Sequence, residues 1–373
     1  MTILVPRYRS IPAQRIERWL GAERAEALSR SMLGWYGSPI PVLDMPGGVK
    51  ITGGGDYIGE FPRGYFMGAL DSLEVALKAA LRAPHGQLNA GFASIDDALS
   101  RSSQGFGQSR NFNKVGPTGV TGVTSSLWRL GPQPAAGTAP AAAPGGTAFS
   151  SSTTGALAFA NPAAGTNRLV GADVGASVAG NSLMLYDLLF GVTKLINSTA
   201  TEAVTGVPTR YQSVTATAED YIGGNFGFVQ VGGTALAAVA HNHTVCTYLD
   251  QANAASTLPS LTGASGAIVD RFDHPAQQWF APLESGDTGI KAWTQMQTSA
   301  LVTTGVLWFM IGHRIGIVSF PTINFFYPFD WLTNKLQAPR VFDNACLAFL
   351  EMVKPSTSAT TYGGLFETTS TSA

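Results

Sequence analysis

Asn225-Phe226-Gly227-Phe228-Val229-Gln230-Val231, closed by Gly232-Gly233, is the stretch on which the fold class turns. Its side chains alternate with the two-residue period of a strand, and the paired glycines mark a turn. His243-Thr244-Val245-Cys246-Thr247-Tyr248-Leu249 alternates in the same way. Upstream, Leu183 to Phe190 is a near-continuous apolar run broken only by Tyr186 and Asp187. Downstream, Gln278-Trp279-Phe280-Ala281 ends at Pro282, and Thr288 to Gln297 sets Ile290, Ala292, Thr294 and Met296 on one face. Leu301 to Phe320 is the most hydrophobic part of the chain. It holds Gly305, Gly312, His313, Arg314 and Gly316, and a His-Arg pair at its middle would be costly in a bilayer. It therefore reads as two strands joined near Gly312 to Gly316.

Short strands spaced by Gly, Pro and Asp turns predict a mainly β chain with a β-sandwich or jelly-roll-like C-terminal domain. A mixed α+β N-terminal region and extended arms complete the expected organisation. The expected boundaries are 1–130 for that region, 131–165 for a linker or extended loop, 166–354 for the sandwich and 355–373 for a flexible tail. Pro12 to Met32 and Asp71 to Arg82 are helix-like, the latter with Asp71 as N-cap and Leu73, Leu77 and Leu81 on its buried stripe. The linker runs through Ala, Gly, Pro, Ser and Thr, with no charge between Gly131 and Arg168. Alone it buries too little apolar area to offset chain entropy. Asn324 to Trp331 is dense in aromatics (Phe325, Phe326, Tyr327, Phe329, Trp331) and is expected to plug the sandwich or dock on a neighbour.

Charged residues make up 13% of the 373, against 45% apolar. That is about half the charge of an ordinary soluble domain. A subunit that hides its surface against neighbours needs less charge than a lone monomer. The net charge of −1 argues against a global pull toward nucleic acid or membrane, although residues 1–30 hold six arginines against three glutamates. Cys246 and Cys346 are too few and too distant for a disulfide framework and read as buried small hydrophobes. The N-terminus has no long apolar segment of the signal-peptide kind.

His241-Asn242-His243 is the most metal-like feature. Residues two apart on a strand share a face, so both imidazoles can approach one ion, with Asp250, Asp270, Asp273 or His274 as candidate third ligands. The ordinary reading is that the pair opens a strand at a surface turn, because the spacing matches no zinc signature. Asp270-Arg271-Phe272-Asp273-His274 groups acid, base and imidazole, but Pro275 after it favours a turn, and Gly263-Ala264-Ser265-Gly266 is one residue short of a nucleophile elbow. Gly53-Gly54-Gly55-Asp56 lacks the Gly-Lys-Ser/Thr ending of a phosphate loop. On this reading no residue is assigned as catalytic, cofactor-binding or metal-binding, and no enzyme activity or cofactor is expected.

Leu185-Tyr186-Asp187-Leu188-Leu189-Phe190-Gly191-Val192-Thr193-Lys194, Asn197-Ser198-Thr199 through Thr209-Arg210-Tyr211, and Phe280-Ala281-Pro282-Leu283-Glu284-Ser285-Gly286-Asp287-Thr288-Gly289-Ile290-Lys291 carry a family texture. Over about 181–320 the chain resembles structural proteins of tailed bacteriophages. The resemblance implies a virion component of the head, a capsid cement or decoration protein that binds across major capsid subunits. Its implied partners are the major capsid protein and copies of itself, with a trimer compatible. It implies no membrane and no specific nucleic acid, and a place in the phage head after assembly in the bacterial host cytoplasm. A major capsid, head–tail or tail protein is the alternative within that class. Outside it stands a glycan-binding β-sandwich using Trp279, Trp293 or Trp308. Of these, Trp293 has opposite strand parity to Ile290 and Met296 and is expected to face outward, whereas Trp308 is expected in the core.

Overall fold

The computed structural model describes residues 42–45, 49–52, 92, 95–103, 107–264, 267–274, 278–330, 338–353 and 358–371. The chain divides into two units, Met1–His85 and Gly86–Ala373. In the first, Val42–Met45 and Val49–Thr52 pair as an antiparallel hairpin. The helices expected over Pro12 to Met32 and Asp71 to Arg82, and the glycine run Gly53 to Asp56, lie outside the described residues.

The second unit is built almost wholly of antiparallel strands, preceded by one short helix, Ile95–Ser103. Its principal strands, in chain order, are β1 (Gly107–Val115), β2 (Thr124–Ser126), β3 (Asn167–Ala176), β4 (Ser182–Leu195), β5 (Asn225–Val231), β6 (Asn242–Asp250), β7 (Ile290–Thr298), β8 (Val306–Ser319), β9 (Tyr327–Asp330), β10 (Leu347–Met352) and β11 (Thr361–Ser370). They form a central sheet in the order β5-β8-β4-β10-β2 and two outer sheets. One outer sheet pairs β6 with β7, and the other runs β9-β3-β11-β1.

The apolar run recognised at Leu183 to Phe190 is apolar on both faces because both faces of β4 are buried. Leu183 and Leu185 pack with Phe112, Val174 and Phe366 of the β9-β3-β11-β1 sheet. Met184, Tyr186 and Leu188 point the other way, into a cluster with Phe226, Phe228, Trp308 and Met310. The pairing with β8 then skips Leu189, so Phe190 and Val192 return to the first face. There they meet Cys246, Trp293 and Met296 of the β6–β7 sheet. A single bulge thus lets one strand serve two outer sheets.

Leu301 to Phe320 was expected as two strands, but β8 is one continuous strand of 14 residues. Gly312 and Gly316 sit beside register shifts in its pairing with β4, so the glycines accompany bulges and do not form a hairpin turn. The segment 131–165, expected as a linker, lies against its own chain. Thr147 and Ala148 pair with Gly191 and Phe190. The Leu157 amide donates to the Leu347 carbonyl at 2.9 Å, and Phe149, Leu157 and Phe159 are buried. The expected loose tail contains β11, which pairs with β3 on one side and β1 on the other. Among the described residues, no helix is long and apolar enough to cross a membrane.

The short stretch Asp270 to Asp273 changes the topology. The Ser126 amide donates to the Asp270 carbonyl at 2.8 Å and the Phe272 amide to that of Thr124 at 3.0 Å, which satisfies β2. The Asp270 and Asp273 amides donate to the carbonyls of Val231 and Val229 at 2.9 and 2.8 Å, and the Val231 amide to that of Arg271 at 2.8 Å, which satisfies β5. These two strands are the opposite edges of the central sheet. The stretch therefore closes the sheet on itself, leaving no free edge there. Phe272 points into the enclosed cluster and stacks on Phe228 with ring centroids 4.7 Å apart.

A buried ion pair, Asp187 with Arg210, lies inside this frame. Arg210 donates Nε–H and Nη2–H to the two Asp187 carboxylate oxygens at 2.8 and 2.7 Å, and Nη1–H to the Phe149 carbonyl at 3.0 Å. The Cys346 amide adds a third bond to Asp187 at 2.9 Å. The fork joins β4, the segment over it and the turn before β10. Arg210→Leu is expected to destabilise the protein by about 3–5 kcal/mol in urea unfolding, because it strands a buried carboxylate. The double apolar replacement Asp187→Leu/Arg210→Met should cost less than either single change.

Glu351 of β10 is also fully buried. Burial pushes its carboxyl up to about 8, and the Tyr362 hydroxyl facing it offsets that only in part. Between pH 4.5 and 8 the folded chain holds a proton that the unfolded chain has released, so stability falls as pH rises through this window. Glu351→Gln should raise stability by about 2–3 kcal/mol at pH 7 and change it little near pH 4, read from urea midpoints at the two pH values.

Candidate functional site

The sequence places His241 and His243 on one face, and the structure turns that face inward. Asn242 between them is exposed, while both histidines are buried. His243 enters β6 opposite Leu261 and Thr298, so the expected surface turn is instead a buried junction. Of the four candidate third ligands, only Asp273 arrives. It can do so because it is the last residue of the closing stretch: Phe272 faces the enclosed core, so its neighbour Asp273 faces outward, toward β6.

One carboxylate oxygen receives both rings. Asp273 Oδ2 lies 2.8 Å from His241 Nε2 and 3.0 Å from His243 Nε2. Its other oxygen, Oδ1, accepts the Ala264 amide at 2.7 Å. On the far side of the His241 ring, Nδ1 lies 3.0 Å from the Val239 carbonyl. His243 Nε2 also meets the Asp273 carbonyl oxygen at 3.0 Å, and its ring meets Phe309 in a T-shaped contact. Burial by itself would raise the Asp273 carboxyl, but the two imidazoles more than offset this and hold it well below the usual carboxylate range. The bond to Asp273 raises His241, against burial. The three ligand atoms lie within 4.8 Å of one another.

The remaining candidates serve elsewhere. Asp250, at the far end of β6, accepts the Ala252 and Ala254 amides at 2.8 Å in a tight turn. Asp270 has a left-handed backbone (φ 72°), and burial raises its carboxyl to about 6. His274 packs on Phe272 with centroids 4.9 Å apart. Asp273 instead engages the distant histidines, while the stretch acts as a β connection and not simply a turn.

The tryptophans also move. Trp308 is buried, and so is Trp293, which was expected to face outward. In the β6–β7 ladder Thr247 pairs with Gln295 but Tyr248 with Trp293, which leaves Thr294 as a bulge. That extra residue reverses strand parity and brings Trp293 to the same side as Met296. The residues carrying the phage resemblance build the frame: Leu185 to Lys194 lie in β4, and Arg210 pairs with Asp187. Tyr211 stacks on His313 at 3.8 Å.

No family model, curated protein or solved structure matches the chain.

Asp273→Ala would remove the shared acceptor of two buried imidazoles and one amide. It is expected to destabilise the chain by about 3–5 kcal/mol in urea unfolding, against about 1 kcal/mol for Asp250→Ala, whose loss is local to a turn.

Proposed function

We propose that this chain is a structural subunit of a multi-copy particle, in the setting of a tailed-phage head, with a cement or decoration role across shell subunits. The observation that carries the proposal is a fixed, apolar tip beside a sheet edge. Between β8 and β9 the chain exposes Ile323 (56%), Phe325 (57%) and Phe326 (55%). The tip is held in place, because the Asn324 amide donates to the Ala176 carbonyl of β3 at 2.8 Å. Large rings fixed outward suit docking into a partner's pocket at low entropic cost. Among the described residues the adjacent β9 ends its sheet, an edge that suits pairing with a partner's strand.

Low overall charge supports the same reading, as does the use of the phage-like stretches for packing and ion pairing within the frame. Of the aromatic stretch Asn324 to Trp331, Tyr327 and Phe329 pack against the core beside the β9-β3-β11-β1 sheet and Phe325 and Phe326 are exposed, while Trp331 lies outside the described residues. The glycan-binding alternative loses support, since Trp293 and Trp308 are buried. A shell or tail role within the same class is distinguished by copy number.

Mass spectrometry of purified particles tests this directly. Hundreds of copies per particle support a cement or shell role; about a dozen or fewer point to the tail or portal, and none overturns the proposal. Phe325→Ser/Phe326→Ser is expected to weaken association with the shell by at least about tenfold in a binding titration. Its thermal midpoint should fall by only a few degrees, because both rings are more than half exposed.

A further inference from the structure

We propose that His241, His243 and Asp273 form a structural site for one zinc-like divalent cation, which locks the β6–β7 sheet to the closing stretch of the central sheet. The argument begins with protons. The Val239 carbonyl has none to give, so His241 Nδ1, 3.0 Å away, must be the donor. In a neutral ring Nε2 then carries a lone pair, and that lone pair faces the Asp273 carboxylate oxygen at 2.8 Å. Two acceptors abut in a buried place, so a cation belongs between them.

A proton on His241 Nε2 would satisfy this one pair. The arrangement supplies more than a proton needs. A second imidazole, His243, brings its Nε2 to the same carboxylate oxygen at 3.0 Å, so three ligand atoms converge. The Asp273 carbonyl, 3.0 Å from His243 Nε2, offers a fourth oxygen. Two of these ligands have the supports of a metal centre, whereas His243 Nδ1 is buried without a partner. His241 is oriented through Nδ1 by a backbone carbonyl, and the free carboxylate oxygen of Asp273 is held by the Ala264 amide at 2.7 Å.

Gly263 adds an independent observation. A Cβ at this position would come within 2.2 Å of His241 Nε2. Its φ is not in the left-handed region, so the backbone does not require glycine. The missing side chain lets the His241 ring pack directly against the backbone, so a larger residue here would displace the ligating nitrogen. Two imidazoles and one carboxylate suit zinc better than calcium or magnesium, which prefer all-oxygen shells. Bonds of about 2.0–2.1 Å in tetrahedral geometry separate ligand atoms by about 3.3 Å, so the cluster need open by only a few tenths of an ångström to admit the ion. All three residues are buried, which marks a closed, structural centre.

The test uses the full chain, purified without a metal-affinity tag, stripped with chelator and re-exposed to zinc. Elemental analysis is expected to find about one zinc per chain, and excess zinc should raise Tm by roughly 5 °C, with no such rise from calcium or magnesium. Cobalt(II) should give the visible absorption of a tetrahedral site with imidazole ligands. His243→Gln and Asp273→Asn should each lower zinc affinity by at least about tenfold, and Gly263→Ala should weaken it by pushing the His241 ring out of place. Should these variants fail to fold, metal content, Tm shift and cobalt spectrum of the unaltered chain decide the matter. Absence of bound zinc together with a Tm indifferent to zinc would overturn the proposal and leave a proton-held ion pair. Zinc binding undiminished in the folded variants, or stabilisation by calcium alone, would overturn it too.

Discussion

Two edges of one sheet meet on a single short segment, and the second unit is organised by that constraint. Strands β2 and β5 end the central sheet on opposite sides, and each would otherwise present unpaired amides and carbonyls. Asp270 to Asp273 supplies hydrogen bonds to both. Because side chains alternate, the same four residues send Phe272 into the enclosed core and Asp273 outward to the histidines. Closure, core filling and the polar junction with the β6–β7 sheet are thus consequences of one extended stretch.

Around the closed sheet, low charge becomes intelligible. The internal charges that the chain does carry are used as ties: Asp187 with Arg210, and Lys194 with Glu202 at 2.6 Å. Arg168 and Arg340 converge on Glu219, the latter at 2.6 Å. The ties to Glu219 join segments distant in the chain, and at each tie removal of one partner would leave a charge buried or half-buried. An exposed pair of phenylalanines held by a backbone hydrogen bond is consistent with a molecule shaped for contact.

Much of the strand content was legible because period-two alternation is a local signal. Asn225 to Val231 and His243 to Leu249 are strands where the pattern places them, within a residue at each end. Two expectations failed where strands bulge. Trp293 was set outward because strict alternation assumes an unbroken register, and Leu301 to Phe320 was divided because its glycines read as a turn. Bulges at Thr294 and near Gly312 to Gly316 shift that register. Bulges are visible only in the pairing of two strands, so one strand's residues do not reveal them. The segment 131–165 misled for a related reason: poor in large apolar groups, it is ordered by hydrogen bonds to β4 and by a few buried side chains such as Phe149 and Leu157.

The candidate site divides in the same way. Alternation alone put His241 and His243 on a common face, and composition alone implied a β-rich chain with little charge. Which face turned inward, and which of Asp250, Asp270, Asp273 and His274 would join them, depended on a closure formed by residues about 30 positions away from the histidines. Local sequence encodes the direction of a side chain relative to its own strand. Only the long-range hydrogen bonds that seat one strand beside another decide what that side chain meets.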